Sequence, residues 1–326
     1  MAKNILIIAL TLIALLAVTV GGAYLWIQQQ LQPVSSDNTP QTFVVAKGQA
    51  LVTTAQKLAD QGLVRHPQVF RYYAQFNEID TKMQAGSYDL SPSMSSAEIA
   101  QALTLGTEDT WITIPEGWRR EEIAAYLASV EDLTEFDQDE FLALSATSEG
   151  KLFPETYLIP KESTADQIYD LLMTTYTAKV TTGMAEMLAA SDLTEEEVVT
   201  LASIVEREGK GLENMRHVAG VLHNRLEVGQ ALEVDATLQY IDGQDATGKW
   251  WSPPTIDTKQ STSPYNTYKF PGLPPGPICS PGADAITAVL DPLETSDYYY
   301  IHAPSGESYF AETLEEHNAN VQKYLR

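Results

Sequence analysis

The residues best suited to chemistry lie at the end of one helix-like segment, Val198-Val199-Thr200-Leu201-Ala202-Ser203-Ile204-Val205-Glu206-Arg207-Glu208, which stops at Gly209. It carries two carboxylates to the turn where a helix dipole disfavours negative charge. A carboxyl group in such a place holds its proton more readily, so the arrangement points to general acid or base work. Two positions apart on a helix, Glu206 and Glu208 diverge by about 200° and cannot flank one bond together. With Val198 at zero, the apolar residues centre near about 350°, Glu206 near about 80° and Glu208 near about 280°. Both edge the buried face while Arg207 points to solvent. The wheel admits either carboxylate as the half-buried acid and leaves the choice open.

Other chemistries have no footing here. There is no His-Glu-x-x-His, P-loop, Gly-x-Gly-x-x-Gly after a strand, or Gly-x-Ser-x-Gly. The five histidines, His66, His217, His223, His302 and His317, include no pair at metal-ligand spacing on one helix face. No metal site and no cofactor are therefore expected. Cys279 is the only cysteine, which excludes an intrachain disulfide and a zinc ribbon. A formal net charge of −24 without a basic patch argues against nucleic acid as a partner. A second polar constellation, Ser263-Pro264-Tyr265-Asn266-Thr267-Tyr268 before Gly272 to Ile278, offers aromatic faces and directional hydrogen-bonding groups suited to sugars. Asn224-Arg225 and Asp235-Ala236-Thr237 add polar groups in the same half of the chain.

The elements that must position these residues read as an α+β chain behind an N-terminal transmembrane helix. Residues 1–4 form a cytoplasmic N-terminus, and Ile5 to Ile27 is uncharged and about 34 Å long as a helix, enough to span a bilayer. Lys3 precedes the span and no charge follows before Asp37, which places the bulk of the chain outside the cytoplasm. An exported chain without disulfides fits a bacterial plasma membrane. Residues 28–41 read as a polar spacer. Residues 42–108 read as a small α+β module, with strands at Thr42–Val45 and Gly86–Leu90 and helices over 50–60, 67–76 and from Ser95. Residues 109–326 form a larger mixed α+β domain. Its expected elements are a strand at Trp111–Ile114, a helix through Val130, and a peripheral helix over 131–149. An extended segment over 152–159 and helices over 165–178, 194–208 and 213–228 follow. Beyond Gly229 come long functional loops, then a hairpin of 298–301 with 308–310 around Ser305-Gly306, and a last helix over 314–325.

Several blocks in this order resemble one family. Leu201 to Glu208, Val218-Ala219-Gly220-Val221-Leu222-His223-Asn224-Arg225-Leu226, Ser263 to Tyr268 and Gly272 to Ile278 are similar to the YceG-like endolytic murein transglycosylases. So are Ile114-Pro115-Glu116-Gly117-Trp118, Leu152-Phe153-Pro154-Glu155-Thr156-Tyr157 and the anchor followed by a LysM-like module. The resemblance covers nearly the whole chain. It departs at Ala236, where the family usually has Pro, at Gln230, and at Tyr309, where a His often precedes the Phe.

The resemblance implies a single-pass membrane enzyme that cuts nascent peptidoglycan glycan strands internally, between N-acetylmuramic acid and N-acetylglucosamine, and leaves 1,6-anhydro ends. It implies peptidoglycan synthases as neighbours, Glu208 as the catalytic residue, and Glu206 and Glu155 as supporting residues. Asn224, Arg225, Asp235, Thr237, Tyr265, Asn266, Thr267 and Tyr268 are the expected substrate contacts. One carboxyl suffices for lytic cleavage, as acid and then as base, and the first step needs its proton in place, which partial burial favours. A muramidase-type hydrolase would need a second acid, Asp235 or Glu155. A non-catalytic glycan-binding scaffold is the reading from another class.

Overall fold

The computed structural model describes residues 2–46, 48–106 and 109–325, with the side chains of residues 2–9, 11 and 14 outside that set. Of the expected cytoplasmic residues 1–4, Met1 thus lies outside the described residues, as do the side chains of residues 2–4 and of 5–9, 11 and 14 in the expected span. Among the described residues no helix is long and apolar enough to cross a membrane. The chain divides into two compact units, Met1–Thr110 and Trp111–Arg326.

The first unit holds α1 (Ala2–Gln30), β1 (Gln41–Val45), α2 (Leu51–Asp60), α3 (Pro67–Phe76), β2 (Gly86–Leu90) and α4 (Ser96–Leu105). β1 and β2 pair antiparallel with Phe43 opposite Tyr88. Side chains alternate across the pair, so Phe43, Val45, Tyr88 and Leu90 all enter one core with Leu58, Phe70, Ile99 and Leu103. Ser95 and Glu98 close a capping box at the start of α4. The spacer is shorter than its composition suggests. No helix breaker precedes Pro33, so α1 runs on to Gln30, and the Arg65 guanidinium donates to the Pro33 and Val34 carbonyls.

The second unit begins within β3 (Asp109–Thr113), which pairs with β4 (Thr156–Pro160) beside α5 (Arg120–Ser129), α6 (Gln138–Leu144) and α7 (Ala165–Tyr176). Their apolar faces form one core around Ile112, Ile123, Leu127, Phe141 and Leu172. The peripheral helix expected over 131–149 is reduced to α6, whose start is set by the Asp137 cap bonded to Glu140 N–H. A π-helical segment, Thr177–Thr182, extends α7 into α8 (Ala185–Ala190).

The second core surrounds α9 (Glu195–Glu208), which packs on α10 (Leu212–Glu227) and α13 (Ala283–Leu290). Every residue from Val198 to Val205 is buried. That exceeds the one-sided stripe read from the wheel, because the segment before α13 covers the remaining side. Its polar members are satisfied: Ser203 Oγ donates to Thr200 O (2.8 Å) and accepts from Ile278 N–H (3.0 Å). Gly209 ends the helix at φ −91°, an ordinary backbone. A side chain there would lie 2.9 Å from the Met215 Cα, so close approach of α10 demands the glycine. The loop composition beyond Gly229 contains α11 (Asp235–Asp242), α12 (Ile256–Lys259) and α13. β5 (Tyr299–His302) and β6 (Ser308–Ala311) form the expected hairpin, and α14 (Leu314–Tyr324) follows.

One buried carboxyl makes stability depend on pH. Glu149 accepts from Arg120 N–H at 3.2 Å, and burial, with the nearby Glu121 charge, pushes its carboxyl up from 4.5 to about 8. Between those values the folded chain keeps a proton that the unfolded chain has released. Its contribution is therefore full below the ordinary value and is lost as pH rises through about 8. Urea midpoints should fall from about pH 5 to about pH 9 more steeply for wild type than for Glu149→Gln. Equal slopes would contradict this assignment.

Candidate active site

The last three residues of α9 reach three different surroundings. Glu206 Oε2 accepts from Gly282 N–H at 3.0 Å, and burial raises its carboxyl, helped by the charges of Glu116 and Asp284. Arg207 does not face solvent as the wheel suggested. Its guanidinium lies 4.1 Å over the Trp251 ring, and Nη1 donates to Gly117 O at 3.3 Å. Trp251 is held at φ +60°, unusual for a bulky residue, and its Nε1–H donates to Glu122 at 2.8 Å. The cation–π stack therefore fixes the helix end against an unusually bent loop.

Glu208 enters a groove with two lobes. The first, about 340 Å³, is lined by Glu208, Arg225, Leu232, Glu233, Val234, Asp235, Tyr268, Tyr299, Tyr300, His302, Leu314 and His317. The second, about 610 Å³, is lined by Arg207, Glu208, Lys210, Asn214, His302, Ala303, Gly306, Glu307, Ser308 and Tyr309. Glu208 stands where the lobes meet, its side chain 14% exposed. His302 Nε2 lies 3.3 Å from Glu208 Oε2. Tyr300 also engages Glu208, and its hydroxyl is pushed well above its ordinary range by burial first and then by that carboxylate. The Tyr268 hydroxyl donates to Asp235 Oδ1 at 2.7 Å and is raised by burial, by Asp235 and by Glu208.

Of the other expected contacts, Arg225, Asp235 and Tyr268 line the first lobe with Glu208. The rest build the walls. Asn266 is 0% exposed and its amide donates to the Lys259 and Ser261 carbonyls. Thr267, 1% exposed, accepts from Val234 N–H, and Thr237, 0% exposed, donates to Val234 O. Buried in this way, none of the three reaches the groove. Asn224 donates to the Thr295 and Asp297 carbonyls, 2.9 Å each, and so holds the lead-in to β5. Tyr265 packs on Tyr240, ring centroids 5.0 Å apart. Glu155 pairs with Lys179 at 3.5 Å and lines neither lobe.

Sequence reasoning missed Glu233, Tyr299, Tyr300 and His302. Glu233 adopts φ +52°, a left-handed conformation rare for glutamate, with its N–H bound to Thr267 O at 3.1 Å. A signal for Tyr300 and His302 existed, since alternation along a strand puts residues two apart on one face. Among the described residues no group of three His, Cys, Asp or Glu could hold a metal ion. The arrangement is a carboxyl group in a polar, aromatic-lined groove open on two sides of it. It can pass a proton to and from a polymer lying across it.

Comparison with known proteins points the same way. The family model described as YceG-like matches residues 43–323. An endolytic murein transglycosylase of Streptococcus pneumoniae (strain D39) is 28% identical over 99% of this chain and 65% of its own length. The chain thus spans about 65% of the pneumococcal relative. An endolytic murein transglycosylase of Bacillus subtilis (strain 168) is 29% identical over 94% of this chain and 91% of its own. A 2.6 Å crystal structure of a yceG-like protein from Listeria monocytogenes aligns with a TM-score of 0.54 at 28% identity, covering 87% of this chain and 99% of that one.

Proposed function

The chain belongs to the YceG-like family, and from that membership we propose that it is a membrane-anchored endolytic lytic transglycosylase of peptidoglycan. The observation that carries the reading is the position of Glu208 at the junction of two open lobes. A groove continuing on both sides of the acid accommodates a strand in its middle, as internal cutting requires. The names of the pneumococcal and Bacillus relatives support the same activity.

Glu208 acts first as general acid. It protonates the glycosidic oxygen between N-acetylmuramic acid and N-acetylglucosamine as the bond to C1 breaks. The resulting carboxylate then takes the proton of the muramoyl C6 hydroxyl as that oxygen bonds to C1. The anhydro ring closes, Glu208 regains its proton, and no water is consumed. Tyr299 and Tyr300 offer faces for sugar rings, while Asp235 and Glu233 accept from hydroxyls. A net charge of −24 gives the acidic polymer no electrostatic pull, so shape and hydrogen bonds must hold it.

Asp235 keeps the hydrolase reading specific, since it lines the same lobe as Glu208. Its oxygen is engaged by Tyr268 and lies 3.9 Å from Lys259 Nζ. That engagement disfavours it as a water activator. Anchoring is supported by the uncharged run Ile5 to Ile27 within one helix, with side chains such as Leu12 (60%), Val18 (72%) and Leu25 (69%) exposed. An anchored enzyme would meet nascent strands beside the synthases that extrude them. Membranes washed with alkaline carbonate should keep the protein, and its digest of glycan strands should carry anhydro ends. Release into the wash would contradict the anchor, and reducing ends, heavier by one water, would favour the hydrolase.

A further inference from the structure

Glu208 meets one imidazole, and that imidazole is itself held. His302 Nε2 lies 3.3 Å from Glu208 Oε2, while His302 Nδ1 lies 2.9 Å from Ser308 Oγ. The hairpin builds this chain of contacts, because His302 and Ser308 are register partners across β5 and β6. Glu208 and His302 are also the two residues that line both lobes of the groove. Tyr300 also engages Glu208, whereas Arg225 donates to the Leu232 and Tyr298 carbonyls and Asp235 accepts from Tyr268.

We propose that His302 is the positioning residue of Glu208, set in its tautomer by Ser308. With the Ser308 hydroxyl donating to Nδ1, the ring presents Nε2–H to Oε2. That pins one carboxyl oxygen as an acceptor and leaves Oε1 to carry the working proton. The proposal rests on Glu208 as the acid and base of the proposed reaction. In the first half the proton leaves Oε1 for the glycosidic oxygen as the C1–O bond breaks. In the second half the C6 hydroxyl bonds to C1 and its proton returns to Oε1. His302 holds Oε2 throughout, and its hydrogen bond strengthens in the interval when Glu208 is a carboxylate. A lone carboxyl that must serve twice at one place gains most from such pinning, because misorientation would cost both halves.

The test uses the full-length protein in detergent on purified glycan strands, with steady-state kinetics and thermal unfolding of His302→Ala, His302→Gln and Ser308→Ala. Loss of orientation should lower kcat ~10- to 100-fold in His302→Ala, with KM changed by no more than about twofold. The unfolding midpoint should stay, since the ring is 37% exposed. His302→Gln, whose amide N–H can replace Nε2–H, should recover most of kcat, and Ser308→Ala should fall between. Wild-type kcat in His302→Ala, or a Gln variant as defective as the Ala one, overturns the proposal while anhydro ends from wild type leave the function standing. Absence of anhydro ends from wild type itself defeats the functional reading, and the proposal with it.

Discussion

Glu208→Gln is expected to lower strand cleavage by ~10³-fold or more, removing both proton transfers at once. The amide keeps the shape of the carboxyl and can accept from His302 and Tyr300, but it has no proton to give at working pH. Folding should be preserved, because the side chain ends α9 at the groove surface and, among the described residues, no Lys or Arg pairs with it. Glu206→Gln provides the contrast. Its carboxyl faces Gly282 N–H on the other side of the helix, so its effect on cleavage should be far smaller. Product release by wild type and the two variants, followed with urea unfolding of each, checks both statements. Substantial cleavage by Glu208→Gln would remove Glu208 from the mechanism.

Arg225→Met is expected to cost stability by about 3 kcal/mol or more and to reduce cleavage with it. The guanidinium is 7% exposed and donates to Tyr298 O at 2.6 Å, Leu232 O at 2.7 Å and Ala231 O at 3.3 Å. Methionine fills much of the space but leaves three carbonyls without a donor. Those carbonyls belong to the two segments that deliver the groove: 231–234 leads to Glu233 and Asp235, and Tyr298 leads into β5 with Tyr300 and His302. Arg225, an expected substrate contact, lines the first lobe, and its donors are spent on the lobe's walls. Urea midpoints would settle the magnitude, and an Arg225→Met midpoint equal to wild type would contradict the strut role.

Much of the scaffold was legible because its signals are local. Thr194 and Glu197 mark the start of α9, Ser95 and Glu98 that of α4, and the turn at Ser305-Gly306 separates the strands of the hairpin. The site was legible only in part. Glu208 and His302 are 94 residues apart, and no periodicity connects them. Asn266 and Thr267 misled for a physical reason: polar residues in a proline- and glycine-rich loop suit a sugar, but a buried loop needs the same groups for its own carbonyls and amides. α13 went unread although Gly282 precedes a clear apolar run, because the surrounding prolines made the region look wholly irregular. Arg207 was placed in solvent since the wheel cannot foresee a loop folding over it with Trp251.

The most direct test of the central claim is a digest of glycan strands by the full-length protein in oxygen-18 water, with the new ends weighed by mass spectrometry. Closure by the C6 hydroxyl requires that every new end be an anhydro end without label, and that none appear with Glu208→Gln. Labelled oxygen at the anomeric carbon of the new ends would mean that water attacks, and that Glu208 works with a second acid as a hydrolase.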